Sequence, residues 1–303
     1  MTVMIRHPAA SGRTGGISMN YQIRNRDLTL TVSDLGAEAV SVVCHGKERL
    51  WQNENGAWSG HAPILFPVCG GFSIIRDGVK FPLTSHGFAR RQVFSFAGGT
   101  EDSLHFVLVP NEATRAMYPC EFRLEVSYRL CGTAVTVAYL VTNTDKAPLY
   151  ASCGAHDAFA LDGDVSEYEV DFEKEEEFLH SCHDTDGRLT GETRSFGHGT
   201  VLPLPADYLS ESRTLIFGNI SSRRVTLRKR GGKALAEIRF DDFPHLLLWR
   251  PKDSHMICIE PWYNLPDDAR TATLDADRKV GLFTLMPGES RRFVRSIRWD
   301  PEA

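Results

Sequence analysis

The chain contains no apolar run of about 18 residues, the length a helix needs to cross a bilayer, so no transmembrane helix is expected. It has no GxSxG elbow, no P-loop and no GxGxxG following a strand, which leaves nucleophilic-hydrolase, NTPase and dinucleotide chemistry without support. A basic balance is missing as well. The formal net charge is −5, and short clusters such as Arg228-Lys229-Arg230 sit at an apparent hairpin turn. Neither nucleic acid nor a membrane is therefore expected as a partner. No two of the seven cysteines have CxxC spacing, and their number is odd. Scattered free thiols in an acidic chain point to a reducing cytosol, and the expected location is cytoplasmic. Residues 1–18 carry Arg6 and Arg13, no acid, and no apolar segment of a secretory signal. They are expected to be a disordered tail, with Met19 available as a second start.

Strand signals dominate what is present. Phe122 to Leu130 alternates apolar and polar, Cys131-Gly132-Thr133 reads as a turn, and Val135, Val137, Tyr139 and Val141 continue the period of two. This predicts a long hairpin with one buried face. A second hairpin is predicted for residues 225–227 and 234–240 around Gly231-Gly232. Leu246 to Trp249 and Met256 to Ile259 are short continuous apolar runs, the mark of central strands buried on both faces. Helical periodicity is scarce, and only residues 173–180 (EKEEEFLH) predict a turn or two of helix. With 42% hydrophobic residues in 303, the chain can bury a large core. The expected fold is all-β, one large antiparallel β-sandwich from about residue 19 to 303.

His180-Ser181-Cys182-His183-Asp184 offers metal-type ligands, but no second segment completes a tetrahedral zinc set, so it reads as a polar loop. Three other segments look suited to chemistry: Ser85-His86-Gly87-Phe88, Ser152-Cys153-Gly154-Ala155-His156-Asp157, and Ile257-Cys258-Ile259-Glu260-Pro261-Trp262-Tyr263. Glu260 ends an apolar strand, where a carboxylate is costly unless it is paired or put to use. Two imidazoles, one carboxylate and neighbouring aromatics suit acid–base chemistry on a sugar, because an aromatic face packs against the C–H face of a pyranose.

These segments, with "APILFPVCG" at 62–70, "HGFAR" at 86–90, "CGAHDAF" at 153–159, "FPHLLLW" at 243–249, "CIEPWYNLPDD" at 258–268 and "LMPGESRRFVRSIRW" at 285–299, give a chain that resembles the aldose 1-epimerases of the galactose mutarotase-like superfamily, in particular a bacterial branch with an HGFAR motif. The resemblance implies a large antiparallel β-sandwich with a sugar cleft, and interconversion of the α and β anomers of an aldose. By resemblance Glu260 is the general base at the anomeric hydroxyl, His156 the general acid at the ring oxygen, and His86 a second histidine holding that oxygen. His156 is then expected to titrate near neutrality, Gly87 to let backbone approach the sugar, and Arg90, Asp157, Trp262 and Arg76 to contact substrate. The resemblance implies no metal and no cofactor, a small-molecule sugar as partner, and a monomer or weak homodimer.

Gly71 stands where the branch carries a sugar-contacting arginine, and Arg213-Thr214 where it carries an aspartate. Substrate identity therefore stays open. A free aldose leads. A hexose 6-phosphate is the alternative, with Arg76, Arg90 and Arg91 as phosphate ligands. A non-catalytic sugar-binding protein using the same cleft is the other.

Overall fold

The computed structural model describes residues 5–8, 18–211, 213–218 and 220–302. A five-stranded antiparallel sheet is formed in chain order by Ile5–Pro8, Met19–Arg24, Leu28–Ser33, Glu38–Cys44 and Lys47–Glu48. A 15-stranded sheet makes up the rest of the sandwich. One hydrophobic cluster joins the two, from Leu30 and Val32 of the small sheet to Phe106, Tyr128, Val137 and Ile297 of the large one.

Both predicted hairpins are present. Phe122–Cys131 pairs along its whole length with Ala134–Asn143, around Gly132 in the left-handed region. Arg224–Lys229 pairs with Ala234–Arg239 around Gly231, also left-handed. His245–Trp249 and Met256–Trp262 are adjacent central strands, and every residue of the latter is buried.

Two expectations are corrected. Residues 173–180 are not helical: they lie inside Tyr168–His183, a strand of 16 residues. Tyr168, Val170, Phe172, Phe178 and His180 face inward along it. The inward residues keep the period of two, but Lys174 and Glu176 fall in the inward phase, where the pairing with Leu189–Pro203 shifts register, and they hide the pattern in the sequence. Glu176 turns inward there and accepts the backbone N–H groups of Ser221 and Ser222 at 3.1 and 2.5 Å. The N-terminal stretch is not wholly without structure. Ile5–Pro8 pairs with Met19 to Gln22, because the edge strand Met19–Arg24 offers backbone groups that a further strand satisfies. The remainder of residues 1–17 lies outside the described residues.

Candidate active site

Strand register builds the floor of the site. Gly154 lies opposite Trp262, and Asp157 opposite Ile259. His156, between the two, therefore sits across from Glu260. Leu247 is opposite Glu260 on its other side, and Ile216 opposite Leu247. One row of side chains thus crosses four strands on one face: His156, Glu260, Leu247, Ile216. All four line a cleft of about 410 Å³, with Trp58, Trp249 and Trp262 as aromatic walls. Trp58 stacks on the His156 ring at 4.9 Å, and Trp249 meets it edge-on at 5.6 Å.

His86 enters from a loop, with its own backbone in the left-handed region. It is held at both ends: its N–H donates to the Gly70 carbonyl at 3.0 Å, and its Nδ1 accepts the Gly70 N–H at 3.1 Å. With Nδ1 an acceptor, the neutral ring carries its proton on Nε2. The His86 ring packs edge-on against His156 at 5.5 Å and Trp262 at 5.3 Å. Gly87 serves this loop rather than the sugar, which corrects the expectation above. A Cβ there would stand 2.2 Å from the Phe66 carbonyl oxygen, and φ is +66°. Only glycine lets the two loops close on each other.

The electrostatics are those of a dry pocket. Burial pushes the Glu260 carboxyl well above the usual carboxylate range, opposed in part by the nearby Trp262 indole. Burial pulls His156 down to about 3, and the Arg90 guanidinium adds to that. His156 is therefore held uncharged at neutral pH, not poised near it. His86 is lowered as well, by burial and then by His156 and the neighbouring arginines. His156 Nε2 stands 3.4 Å from Glu260 Oε2. Oε2 is a buried acceptor with no hydrogen bond.

The cleft gathers His86, Arg90, His156, Glu260 and Trp262 of the sequence-predicted set. It does not gather Asp157 or Arg76. Asp157 follows His156 on a strand, so its side chain takes the opposite face. It is 1% exposed and paired with Arg295 Nη1 at 2.7 Å. Arg76 lies on the Ile75–Arg76 strand of a small hairpin, against a separate hollow bounded by Tyr150 and Asp275. Its guanidinium reaches Cys120 Sγ at 3.8 Å. Arg90 donates to the Ser85 carbonyl at 3.1 Å and leaves Nε without a partner.

Trp58 and Asp186 also line the cleft and were not singled out in the sequence, as do His183, expected in a polar loop, and Thr214, at the position where the resembling branch carries an aspartate. A lone tryptophan between Gly56 and Gly60 was the available signal for Trp58. The polar segment 180–184 divides. His180 is a satisfied core residue, accepting the Ile216 N–H at 2.9 Å and meeting Tyr208 Oη at 2.8 Å. His183 faces the cleft, and its Nε2 has no partner. Arg213 turns away to pair with Glu211. A Cβ on Gly71 would meet only the Asp186 carbonyl, at 3.9 Å, so this wall is open where the resembling branch carries an arginine. A larger hollow of about 540 Å³, bounded by Phe72, His245 and Tyr263, shares Pro266 with the cleft but holds none of the acid–base residues.

The sequence profile of the aldose 1-epimerase family matches residues 19–203, more than half of the chain. The chain belongs to the aldose 1-epimerase family. It is 32% identical over 279 residues to the plasmid-encoded protein LacX of Lactococcus lactis subsp. lactis, covering 86% of this chain and 93% of that protein. A galactose mutarotase-like protein from Lactobacillus casei has a TM-score of 0.85 at 26% identity, over 92% of this chain and 99% of the other. A galactose mutarotase related enzyme from Lactobacillus acidophilus has a TM-score of 0.82 at 27% identity, over 93% and 97%. This aldose 1-epimerase family member therefore ranks among the carbohydrate epimerases, with the family's β-sandwich.

Acid should destabilise it. Burial lowers His156 to about 3 and both His180 and His245 to about 4, and His86 falls in the same direction. Below the unfolded value of about 6.5 the unfolded chain binds protons that the folded chain refuses, so stability falls as pH falls. The raised carboxyls of Asp34, Asp157 and Glu260 work in the opposite direction, while the lowered carboxyls of Asp164 and Asp268 add to the loss in acid. The urea midpoint is expected to drop steadily from pH 6.5 to pH 4. A flat midpoint across that window would contradict the neutral assignment of these histidines.

Proposed function

We propose that the protein is an aldose 1-epimerase acting on a free, unphosphorylated aldose without a cofactor. The observation that carries this is the facing pair: a carboxyl and an imidazole 3.4 Å apart, both buried, at the floor of a tryptophan-walled cleft.

The proton balance follows from that pair. In the charged form, Glu260 is a carboxylate and His156 an imidazolium. Glu260 takes the proton from the anomeric hydroxyl, the bond from the anomeric carbon to the ring oxygen breaks, and His156 gives its proton to the ring oxygen. The open aldehyde is then held by a neutral carboxylic acid and a neutral imidazole. This is the state that burial favours in the pocket. Rotation about the bond next to the aldehyde presents its other face, and reclosure runs the same transfers backward to the opposite anomer. Hydroxyls of the sugar support the charged form by donating to Oε2, which has no donor of its own. His86, neutral with its proton on Nε2, donates a hydrogen bond to the ring oxygen as charge gathers there. The tryptophans pack on the C–H faces of the ring and keep water away from the transfers.

Charge on the cleft wall supports a free sugar over a sugar phosphate. Arg90 lines the cleft together with Glu260 and Asp186, while Arg76 borders another hollow and Arg91 is exposed. A phosphate dianion is held best by several guanidiniums at once. The test is polarimetry or proton NMR of freshly dissolved α-D-glucose and α-D-galactose beside glucose 6-phosphate. Faster equilibration of a free sugar is expected. Acceleration of the phosphate ester alone would replace the free-sugar reading, and binding of sugar without acceleration would replace the enzymatic one.

A further inference from the structure

Cys258 has no part in the reaction above. It lies two residues before Glu260 on the Met256–Trp262 strand and shares its face. One ligand atom from each of His156, Cys258 and Glu260 lies within 4.8 Å of the other two. All three side chains are more than nine-tenths buried. Oε2 of Glu260 makes no hydrogen bond. Thiol, imidazole and carboxyl are the donor types that zinc takes, and a catalytic-type zinc site uses three of them and leaves the fourth position open. The spacing of the His156–Glu260 pair also fits. Zinc–nitrogen and zinc–oxygen bonds of about 2.0–2.2 Å at a tetrahedral angle put the two ligand atoms about 3.3–3.5 Å apart. Nε2 and Oε2 are 3.4 Å apart. Both residues line the cleft, which supplies the entry path and the open position.

We propose that His156, Cys258 and Glu260 form a binding site for a thiophilic divalent cation of the zinc type, and that a cation bound there switches off anomer exchange. Bonds form from the metal to sulfur, nitrogen and oxygen. The Cys258 thiol releases its proton to solvent, as does the pair, and no electron changes hands. The metal then occupies the atoms that accept and deliver the substrate's protons. Arg90 on the cleft wall opposes a cation, but thiolate and carboxylate together outweigh its single charge. Magnesium is excluded because it demands octahedral oxygen ligands and gives up water reluctantly. The binding part of the proposal stands on geometry alone, while the inhibition part rests on the epimerase reading.

The test uses the full chain stripped of metal with a chelator. Titration with Co²⁺ is expected to saturate at one equivalent, with visible bands of tetrahedral cobalt and a thiolate-to-cobalt charge-transfer band in the near ultraviolet. Cys258→Ala and Cys258→Ser should lose the thiolate band. Zn²⁺ should abolish anomer exchange by the wild type, and Mg²⁺ should leave it unchanged. The variants should keep most of their metal-free activity and need at least about tenfold more Zn²⁺ for half-inhibition. Absence of the thiolate band in the wild type, or its persistence in both variants, overturns the site. Equal zinc sensitivity of wild type and variants overturns the switch. Tetrahedral cobalt on a wild type that never accelerates anomer exchange leaves the site standing and removes the epimerase reading.

Discussion

Glu260→Gln is expected to slow anomer exchange by about 10²–10⁴-fold, or about 3–5 kcal/mol of barrier, while sugar affinity changes by no more than a few-fold. Glutamine keeps the volume of the side chain and one acceptor oxygen, so the cleft should keep its shape. It cannot accept a proton, so the anomeric hydroxyl loses its base. The fold should not suffer. Glu260 is 1% exposed, and its carboxyl is already driven toward its neutral form by burial, so a neutral isostere removes a cost rather than a contact. The variant should unfold at the wild-type urea concentration or slightly above it. Exchange rates follow from NMR saturation transfer between the anomers. Affinity follows from tryptophan fluorescence, since Trp58, Trp249 and Trp262 wall the cleft. A rate within about threefold of wild type would remove Glu260 from the role of base, well short of the effect expected for a general base.

Arg295→Met is expected to cost about 3–5 kcal/mol of stability, read as a lower urea midpoint, with activity falling as well. Arg295 and Asp157 are 2% and 1% exposed and form an ion pair at 2.7 Å, with Arg295 Nε donating to Tyr139 Oη at 3.0 Å. Burial raises the Asp157 carboxyl, and the guanidinium works against that. Removing the guanidinium leaves a carboxylate stranded in the core. The pair also ties the Asp157–Ala160 strand, and with it His156, to the Ser290–Trp299 strand behind the cleft floor. The double variant Arg295→Met with Asp157→Leu should recover most of the loss, because two apolar groups leave no charge unpaired. Recovery of stability together with activity would mean that the pair serves only to hold the strand. Recovery of stability without activity would mean that its charge shapes the site. If the single variant unfolds at the wild-type urea concentration, the pair carries no such energy.

Much of the fold was legible. The hairpins at 122–143 and 224–239 depend on a period of two and on glycine turns, both of which are local. The candidate acid–base residues were legible for a related reason. His86 and Glu260 each break their surroundings, one beside a glycine and two arginines, the other at the end of an apolar strand. What stayed hidden was less regular. The Tyr168–His183 strand carries register shifts, and the carboxylates crowded around them imitate the exposed side of a helix. Trp58 stands on a loop and His183 at the end of the long strand, and the course of both over the cleft is set by residues distant in sequence.

The contrast between His156 and Asp157 shows where local information ends. Both are polar, both sit in one short motif, and the sequence determines that they point in opposite directions. It does not determine which direction is the cleft. That depends on the pairing of Asp157 with Ile259 and of Gly154 with Trp262, contacts between residues more than a hundred positions apart. The same long-range register decides that Cys258 joins His156 and Glu260, while Arg76 is placed by the small hairpin it forms with Val79 and Gly87 by its bridge to Phe66. The sequence by itself determined the strand alternation, the glycine turns and the residue types able to move protons, because steric and hydrophobic period-two effects act between near neighbours. Only the tertiary structure decided which of those residues meet, because that choice rests on burial summed over strands brought together from the whole chain.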